Sequence, residues 1–190
     1  MLDYLYLALG AYLIGSIPFA FLLVKTVSGK DIRLEGTGNV GAMNSFDVTG
    51  SKLLGIAVMV LDALKGVVSV LLAVHYFGDD DYAKQASAFF AVLGHCYPLW
   101  LKFHGGRGLA TAMGACLLFV PSLVVSWCVV WVLAWLYSKK LHFCNISATC
   151  CVMLIEPIFL PVNYYLFLVL LVGLVLLRHR DVMKEAFKGS

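Results

Sequence analysis

A glycine-rich turn with one cation inside it is the part of the chain best suited to hold an anion. Gly105, Gly106 and Gly108 bracket Arg107, and Leu109 opens the next apolar run. Glycines let the backbone curl so that successive N–H groups point into one concave site. A helix that begins at Leu109 directs the positive end of its dipole there, and the guanidinium is a forked donor suited to phosphate or carboxylate. The turn therefore predicts an anion site, with a tight connection between packed helices as the alternative.

A second glycine-rich stretch carries small polar residues in place of the cation. It runs from Gly36 to Asn44 and reads GTGNVGAMN. The hydroxyl of Thr37 and the amides of Asn39 and Asn44 can fix a polar ligand. For this stretch alone, a flexible connection is an equally good interpretation. Two such stretches on one side of a membrane predict two anionic groups held near each other.

Four ionisable side chains stand in apolar surroundings. Asp62 and Lys65 are three residues apart, so they share one helix face and are expected to neutralise each other. His95 can act as a base near neutral pH, although a buried structural histidine is an equally good interpretation. Glu156 is an acid to which the sequence assigns no partner. We find no Ser-His-Asp or Cys-His grouping that marks a covalent nucleophile.

The composition excludes an ordinary soluble domain. Of 190 residues, 62% are hydrophobic and 13% are charged, about half the charged fraction of soluble domains. We predict an all-α polytopic membrane protein that forms one compact integral-membrane domain over residues 1–190 and works in the lipid bilayer as a monomer, without nucleic acid. The six cysteines lack CxxC and Cys/His ligand spacing, so neither a disulfide framework nor a metal site is predicted, and no cofactor is expected.

About seven apolar segments are candidate membrane spans. They cover roughly 4–26, 53–78, 86–101, 108–120, 122–138, 146–160 and 162–177. The third, fourth and sixth are short against the ~20 residues that a span needs, so tilted, broken or re-entrant helices are expected there. With the N-terminus outside and the C-terminus in the cytoplasm, every Lys and Arg except Lys65 and Lys84 falls on the inner side, in agreement with the positive-inside rule.

Five motifs follow one another along most of the chain. They are GSIP at 15–18, DIR at 31–33, GTGNVGAMN at 36–44, DxxKG at 62–66, and GHCYP with FHGGRGLAT between 94 and 111. In this order they resemble the bacterial acyl-phosphate-dependent glycerol-3-phosphate acyltransferases, the PlsY family. The resemblance implies a seven-helix fold in the bacterial inner membrane with its conserved loops facing the cytoplasm. It also implies transfer of a fatty acyl group from acyl phosphate to the sn-1 hydroxyl of glycerol 3-phosphate. The products are lysophosphatidate, for phospholipid synthesis, and phosphate, with no thioester or metal.

The same resemblance assigns roles to individual residues. The turn from Gly105 to Gly108 with Arg107 would hold glycerol 3-phosphate, the Thr37 turn would lie at the acyl-phosphate group, and His95 would support the site or assist proton removal. The predicted catalytic residues are Thr37, His95 and Arg107; the predicted substrate-binding residues are Gly36, Gly38, Asn39, Gly41, Asn44, Gly105, Gly106, Gly108 and Thr111. Because phosphate is a good leaving group, direct attack by the glycerol hydroxyl needs positioning and charge stabilisation only.

Some positions depart from the family pattern. Thr37 stands for the usual Ser and Arg107 for the usual Lys, which keeps a hydroxyl and a charge. Asp47 stands for Arg, Val182 for Asn and Glu185 for Arg, so polar positions are lost or inverted. Two alternatives stay open: a divergent relative that binds lipid phosphate with altered or lost catalysis, and a small transporter for a phosphorylated solute.

Overall fold

The computed structural model describes residues 2–187, apart from the side chain of Glu185, and this part of the chain contains helices and no strand. The helices are α1 (Leu2–Gly15), α2 (Phe19–Ser28), α3 (Ala42–Thr49), α4 (Lys52–Phe77), α5 (Asp81–Cys96), α6 (Leu109–Leu117), α7 (Pro121–Ser138), α8 (Leu141–Ile155), α9 (Tyr165–Arg178) and α10 (Met183–Phe187). The predicted all-α class is confirmed. The predicted departure at Glu185 lies outside the described side chains.

Four helical stretches within residues 2–187 are long and apolar enough to cross a membrane. They are Leu2–Ser28, Lys52–Phe77, Pro121–Ser138 and Leu141–Ile158, with Val162–Arg178 as a shorter apolar helix. The third and fourth predicted segments are short, as expected. The sixth is longer than predicted, because its helix already begins at Leu141 and continues into a 3-10 turn at Glu156–Ile158. A count of seven crossings and the orientation of the termini stay predictions.

The chain divides into two compact units, residues 1–115 and 116–190. The single integral-membrane domain predicted from the sequence stays a prediction. Each unit is described below by itself.

Glycines bring helices of the first unit into close contact. A Cβ atom on Gly94 of α5 would overlap the backbone carbonyl of Tyr12 on α1, and one on Gly66 of α4 would overlap that of Thr111 on α6. In a membrane, association of helices depends on such close packing by small residues, because lipid tails remove the hydrophobic driving force. These contacts fix α5 against α1 and α6 against α4.

The first apolar segment is two helices and not one. α1 ends at Gly15 and α2 begins at Phe19, directly after Pro18. Proline has no N–H to continue the ladder of hydrogen bonds and its ring clashes with the preceding turn, so the helix breaks there. The Lys65 ammonium on α4 donates to the Ile17 carbonyl in this break, with Nζ and O 2.9 Å apart.

In the second unit, hydrogen bonds from tryptophan side chains join α7 to α8. The indole N–H of Trp127 donates to Thr149 Oγ1 at 3.1 Å, and that of Trp131 donates to Asn145 Oδ1 at 2.7 Å. Because each indole has one donor that must be satisfied away from water, these pairs fix the rotation of α7 against α8.

Glu156 has a partner that the sequence did not reveal. The side chain is fully buried, and the Ser122 hydroxyl donates to its Oε2 atom at 2.9 Å. The two residues are far apart along the chain, so no local pattern predicts the pair.

Candidate functional site

The chain turns back on itself after α5 and closes the turn with its own glycines. The Gly105 N–H donates to the Cys96 carbonyl at 3.2 Å, and the Gly106 N–H donates to the His95 carbonyl at 3.1 Å. These two N–H groups therefore do not form the predicted anion cradle, since carbonyls of the α5 terminus already use them. The prediction of a helix start at Leu109 is confirmed.

Gly106 joins the turn to the second glycine-rich stretch. A Cβ atom at Gly106 would overlap the His95 ring at Nε2 and would lie 2.8 Å from the Val40 carbonyl oxygen. Any side chain at this position would force apart the two stretches and the histidine. The structure thus brings together residues 36–44 and 104–108, which the sequence predicts as neighbours.

Asn44 organises the stretch that precedes α3. It is 1% exposed, and its Nδ2 lies within hydrogen-bond distance of the Ile32, Glu35 and Asn39 carbonyls at 3.2, 3.1 and 3.0 Å. Its Oδ1 accepts the Thr37 N–H at 2.9 Å. An amide has two donors and one acceptor oxygen, so this network occupies both ends of the group. We therefore infer that Asn44 holds the loop in shape and does not itself touch a ligand.

The other predicted residues of this stretch, apart from Gly41, lie nearer the surface. Gly36 and Gly38 adopt φ of 56° and 69°, a left-handed conformation that favours glycine. Gly41 is buried and directly precedes α3. Thr37 is exposed and Asn39 is half-buried. Thr37 and Asn39 thus keep side-chain polar atoms accessible to a ligand.

A buried cluster of three ionisable side chains lies directly behind the glycine turn. Lys65 Nζ lies 2.9 Å from Asp62 Oδ1, which confirms the ion pair predicted from their spacing. His95 Nδ1 lies 3.5 Å from the same Asp62 oxygen. Sequence reasoning missed this second contact, because α4 and α5 bring Asp62 and His95 together only in three dimensions.

A small pocket connects the cluster with both glycine-rich stretches. Its walls come from the break between α1 and α2, from Val40 and Gly105, and from Asp62, Lys65 and His95. It is the place in the first unit where polar side chains, the two stretches and a helix break converge. Within residues 2–187, no three His, Cys, Asp or Glu side chains come close enough to hold a metal ion.

Arg107, Gly108 and Thr111 mark the entry into α6. Arg107 is half-buried, and Gly108 is buried with φ of 90°. Thr111 is fully buried, and its backbone carbonyl lies against Gly66 of α4. The structure therefore places the Thr111 backbone in the contact of α6 with α4, and the predicted role of Thr111 in substrate binding stays a prediction. Arg107 remains the cation at the positive end of the α6 dipole.

Charged residues border the second stretch. The Arg33 guanidinium lies 2.6 Å from Asp31, and its hydrogen bonds lower the pKa of that carboxyl to about 2. Asp47, which departs from the family pattern, is exposed on α3. In the second unit, Val182, another departure, is buried.

Comparison with known proteins identifies the family. The family model described as glycerol-3-phosphate acyltransferase matches residues 5–189. The chain belongs to this family. Among relatives of the same name, one from Myxococcus xanthus (strain DK1622) is 43% identical over 142 residues, which make up 75% of this chain and 73% of the relative. One from Pelagibacter ubique (strain HTCC1062) is 37% identical over 184 residues, 97% and 94% of the two chains.

Two solved structures of the acyltransferase family share the fold. A crystal structure of PlsY (YgiH), an integral membrane glycerol 3-phosphate acyltransferase, in its glycerol 3-phosphate form is 35% identical, with a TM-score of 0.87. The lysophosphatidic acid form of that protein is 34% identical, with a TM-score of 0.84, and each comparison covers 96% of this chain and 91% of the other. The resemblance seen in the motifs and the prediction of a membrane protein are confirmed.

Proposed function

We propose that this protein transfers a fatty acyl group from acyl phosphate to the sn-1 hydroxyl of glycerol 3-phosphate and releases lysophosphatidate and phosphate. The contact of Val40 with Gly106 carries the proposal, because it joins the two stretches suited to phosphorylated reactants. The related PlsY structures are a glycerol 3-phosphate form and a lysophosphatidic acid form, one acceptor and one product of this reaction.

Each stretch serves one reactant. Arg107 and the start of α6 bind the phosphate of glycerol 3-phosphate, because a guanidinium and free N–H groups of a first helical turn both favour an anion. Thr37 and Asn39 bind the acyl-phosphate group with a hydroxyl and an amide. Gly36, Gly38 and Gly41 let the backbone follow that group closely. The acyl chain extends along the apolar helices.

The transfer is a direct displacement. The glycerol hydroxyl oxygen attacks the acyl carbonyl carbon, the new ester C–O bond forms, and the C–O bond to phosphate breaks. The hydroxyl proton passes to the departing phosphate, and His95 supports the site or assists this transfer, so no proton is left on the enzyme. Arg107 and Thr37 stabilise the charge on the two phosphate groups. Positioning two reactants side by side supplies much of the rate in such a reaction.

We place the enzyme in the bacterial inner membrane with this site at the cytoplasmic face. The clustering of Lys and Arg on one side of the predicted spans supports that orientation. The proposed working form is a monomer, and no cofactor is proposed because phosphate leaves without activation by a metal.

Purified protein supplied with acyl phosphate and labelled glycerol 3-phosphate tests the proposal. We expect labelled lysophosphatidate, and we expect Arg107→Ala to remove most of it. Acyl thioester should not replace acyl phosphate. Binding of glycerol 3-phosphate without product would indicate the divergent, inactive relative. Uptake of phosphorylated solute into liposomes without acyl transfer would indicate the transporter.

A further inference from the structure

The chain after α5 leaves the helix before it leaves the apolar sequence. α5 ends at Cys96, whereas the apolar segment continues to Leu101. Large apolar side chains beyond the helix are 48%, 60% and 53% exposed, those of Leu99, Trp100 and Phe103. Water is an unfavourable surrounding for a patch of this kind, so the patch indicates contact with an apolar medium. Residues 98–104 are called the 98–104 loop below.

The 98–104 loop pairs most of its own backbone donors. The N–H groups of residues 101–104 all donate to carbonyls inside the loop, at N–O distances of 3.0–3.3 Å. Pro98, at the start of the loop, has no N–H to satisfy. Backbone groups without partners are costly next to lipid, where water does not replace the missing hydrogen bond. The closed hydrogen bonds therefore suit a loop that lies against the bilayer.

A strained turn separates the inner side of the loop from its outer side. Lys102 and Phe103 adopt φ of 52° and 64°, a left-handed conformation that residues other than glycine rarely take. Such strain persists only where the surrounding structure fixes it. Leu101, which is 3% exposed, supplies that fixation, because it packs in one apolar cluster with Ile32 and Val40. The loop is thus held rigidly against both glycine-rich stretches while its exposed side chains stay outside.

The polar groups of the loop match the headgroup region of a bilayer. Lys102 is exposed, and the exposed His104 ring lies with Nδ1 2.7 Å from the Lys102 carbonyl oxygen. An indole such as that of Trp100 prefers the boundary between headgroups and acyl chains, because it has an apolar body and one polar N–H. An ammonium beside it is attracted to the phosphates of anionic lipids. This charge complementarity favours a lipid surface as the partner.

We propose that the 98–104 loop is an interfacial anchor, with its exposed apolar side chains at the acyl boundary of one leaflet and the Lys102 ammonium among lipid phosphates. The consequence for the reaction rests on the proposed function. Acyl phosphate carries a fatty chain and is therefore held in the same leaflet. Because Arg107 and the glycine turn follow the loop directly, the anchor holds them at the depth of the acyl-phosphate group. This substrate then enters from the leaflet.

Fluorine NMR measures the depth of Trp100 without any turnover. The protein carries fluorinated tryptophan in phospholipid nanodiscs, and the Trp100 signal is assigned by its loss in Trp100→Phe. We expect a lipid with a nitroxide beside its headgroup to broaden this signal more than a lipid with the nitroxide at its chain end, and more than a gadolinium chelate in the water. Any other order overturns the proposal. The absence of broadening by all three also overturns it, because protein would then cover the indole.

Lipid charge tests the place of Lys102. With the nitroxide beside the headgroup, an anionic phosphatidylglycerol should broaden the Trp100 signal about twofold to fivefold more than a phosphatidylcholine, the factor that one cation near an anionic surface supplies. Lys102→Gln should remove this difference. Lys30→Gln, which removes an exposed lysine outside the loop, should retain it. Equal broadening by both lipids in the wild type would overturn the contact of Lys102 with anionic lipid.

Steady-state kinetics in vesicles test the consequence. Trp100→Ser should raise the KM for long-chain acyl phosphate about tenfold, since burial of a large apolar side chain contributes at least this factor. The KM for glycerol 3-phosphate and the turnover of a water-soluble, short-chain acyl phosphate should change less than about twofold. Leu34→Ser, at an 84% exposed leucine between Arg33 and Glu35, is the control and should change none of these.

Two outcomes separate the anchor from the proposed function. Equal losses with long-chain and short-chain acyl phosphate would show that Trp100 supports the fold, and would overturn entry from the leaflet. A wild-type protein that makes no lysophosphatidate would contradict the proposed function, whereas the depth of Trp100 would still be measured. If Trp100→Ser does not fold, the order of broadening in the wild type decides.

Discussion

The carbonyl oxygen of Val40 lies so close to Gly106 that a Cβ atom there would sit 2.8 Å from it. Real Cβ atoms do not approach a backbone oxygen this closely, so the contact requires glycine. It ties the stretch before α3 to the turn before α6. It also sets the distance between the proposed places of the two phosphorylated reactants.

Gly106→Ala should disrupt this contact. The added methyl group would press on the Val40 carbonyl and on the His95 ring, so we expect the free energy of unfolding to fall by about 1–3 kcal/mol. We expect kcat to fall about 100-fold, because small misplacements of reacting groups are costly. Thermal unfolding and the acyl-transfer assay measure the two effects. Gly173→Ala, where a Cβ atom meets nothing within 4 Å, is the control and should lower neither the free energy of unfolding nor kcat.

Arg107 should be replaceable by lysine but not by alanine. Lysine keeps the positive charge and loses the forked geometry, so Arg107→Lys should retain activity within about tenfold. Arg107→Ala should lower kcat/KM for glycerol 3-phosphate about 100-fold, the cost of a lost charged hydrogen bond to phosphate. Titration of glycerol 3-phosphate in the transfer assay measures both. Equal activity of the alanine variant and the wild type would remove Arg107 from the site.

The sequence predicted the features that depend on residues close to one another along the chain. The spacing of Asp62 and Lys65 predicts their ion pair, and Gly108 before an apolar run predicts the start of α6. The His95–Asp62 contact and the Glu156–Ser122 contact each join residues from different parts of the chain. A pattern in the local sequence therefore cannot predict either contact.

The role of Asn44 was also beyond local patterns. An amide in a glycine-rich stretch suits either a ligand or a loop, and only the fold shows that the Ile32 and Glu35 carbonyls converge on it. The N–H groups of Gly105 and Gly106 were likewise predicted for an anion, but the return of the chain along the end of α5 uses them.

Asn44→Ala should loosen the stretch around Thr37. The substitution removes the Asn44 donor from the buried Ile32 carbonyl and leaves the Glu35 carbonyl with the Gly38 N–H alone, so we expect a loss of about 1–3 kcal/mol in the free energy of unfolding. Amide hydrogen exchange should accelerate between residues 33 and 41. Asn163→Ala, which removes an amide that is not fully buried, is the control and should leave this exchange unchanged.

Asp31 should titrate well below an ordinary aspartate. Hydrogen bonds from Arg33 lower its pKa from 3.8 to about 2. The folded-state pKa is depressed, so the pair contributes stability above about pH 4 and loses it as the pH falls through about 2. Carboxyl-carbon NMR should follow this titration, and Arg33→Gln should return the pKa toward 3.8. Lys30→Gln, which removes a neighbouring cation, should leave the pKa of Asp31 at about 2. A wild-type pKa near 3.8 would contradict the pairing.

Asp47 is the departure whose reversal should raise activity. It is an exposed acid on α3, three residues after Asn44, where the family pattern has arginine. A negative charge beside a phosphate site repels the ligand, and an arginine attracts it. Asp47→Arg should therefore lower KM for glycerol 3-phosphate or acyl phosphate by about tenfold, since each 1.4 kcal/mol of attraction changes affinity tenfold. Asp47→Asn removes only the repulsion, so its KM should lie between those of the wild type and Asp47→Arg.

The same two variants distinguish weakened binding from a rebuilt site. If the acid merely weakens phosphate binding, activity rises in the order aspartate, asparagine, arginine, and the difference shrinks at high salt because salt screens exposed charges. If activity is unchanged or lower in Asp47→Arg, the acid is part of how this chain binds its substrates. In that case the site has been rebuilt around Asp47. The activity of Asp47→Arg is then not expected to exceed that of the wild type at any salt concentration.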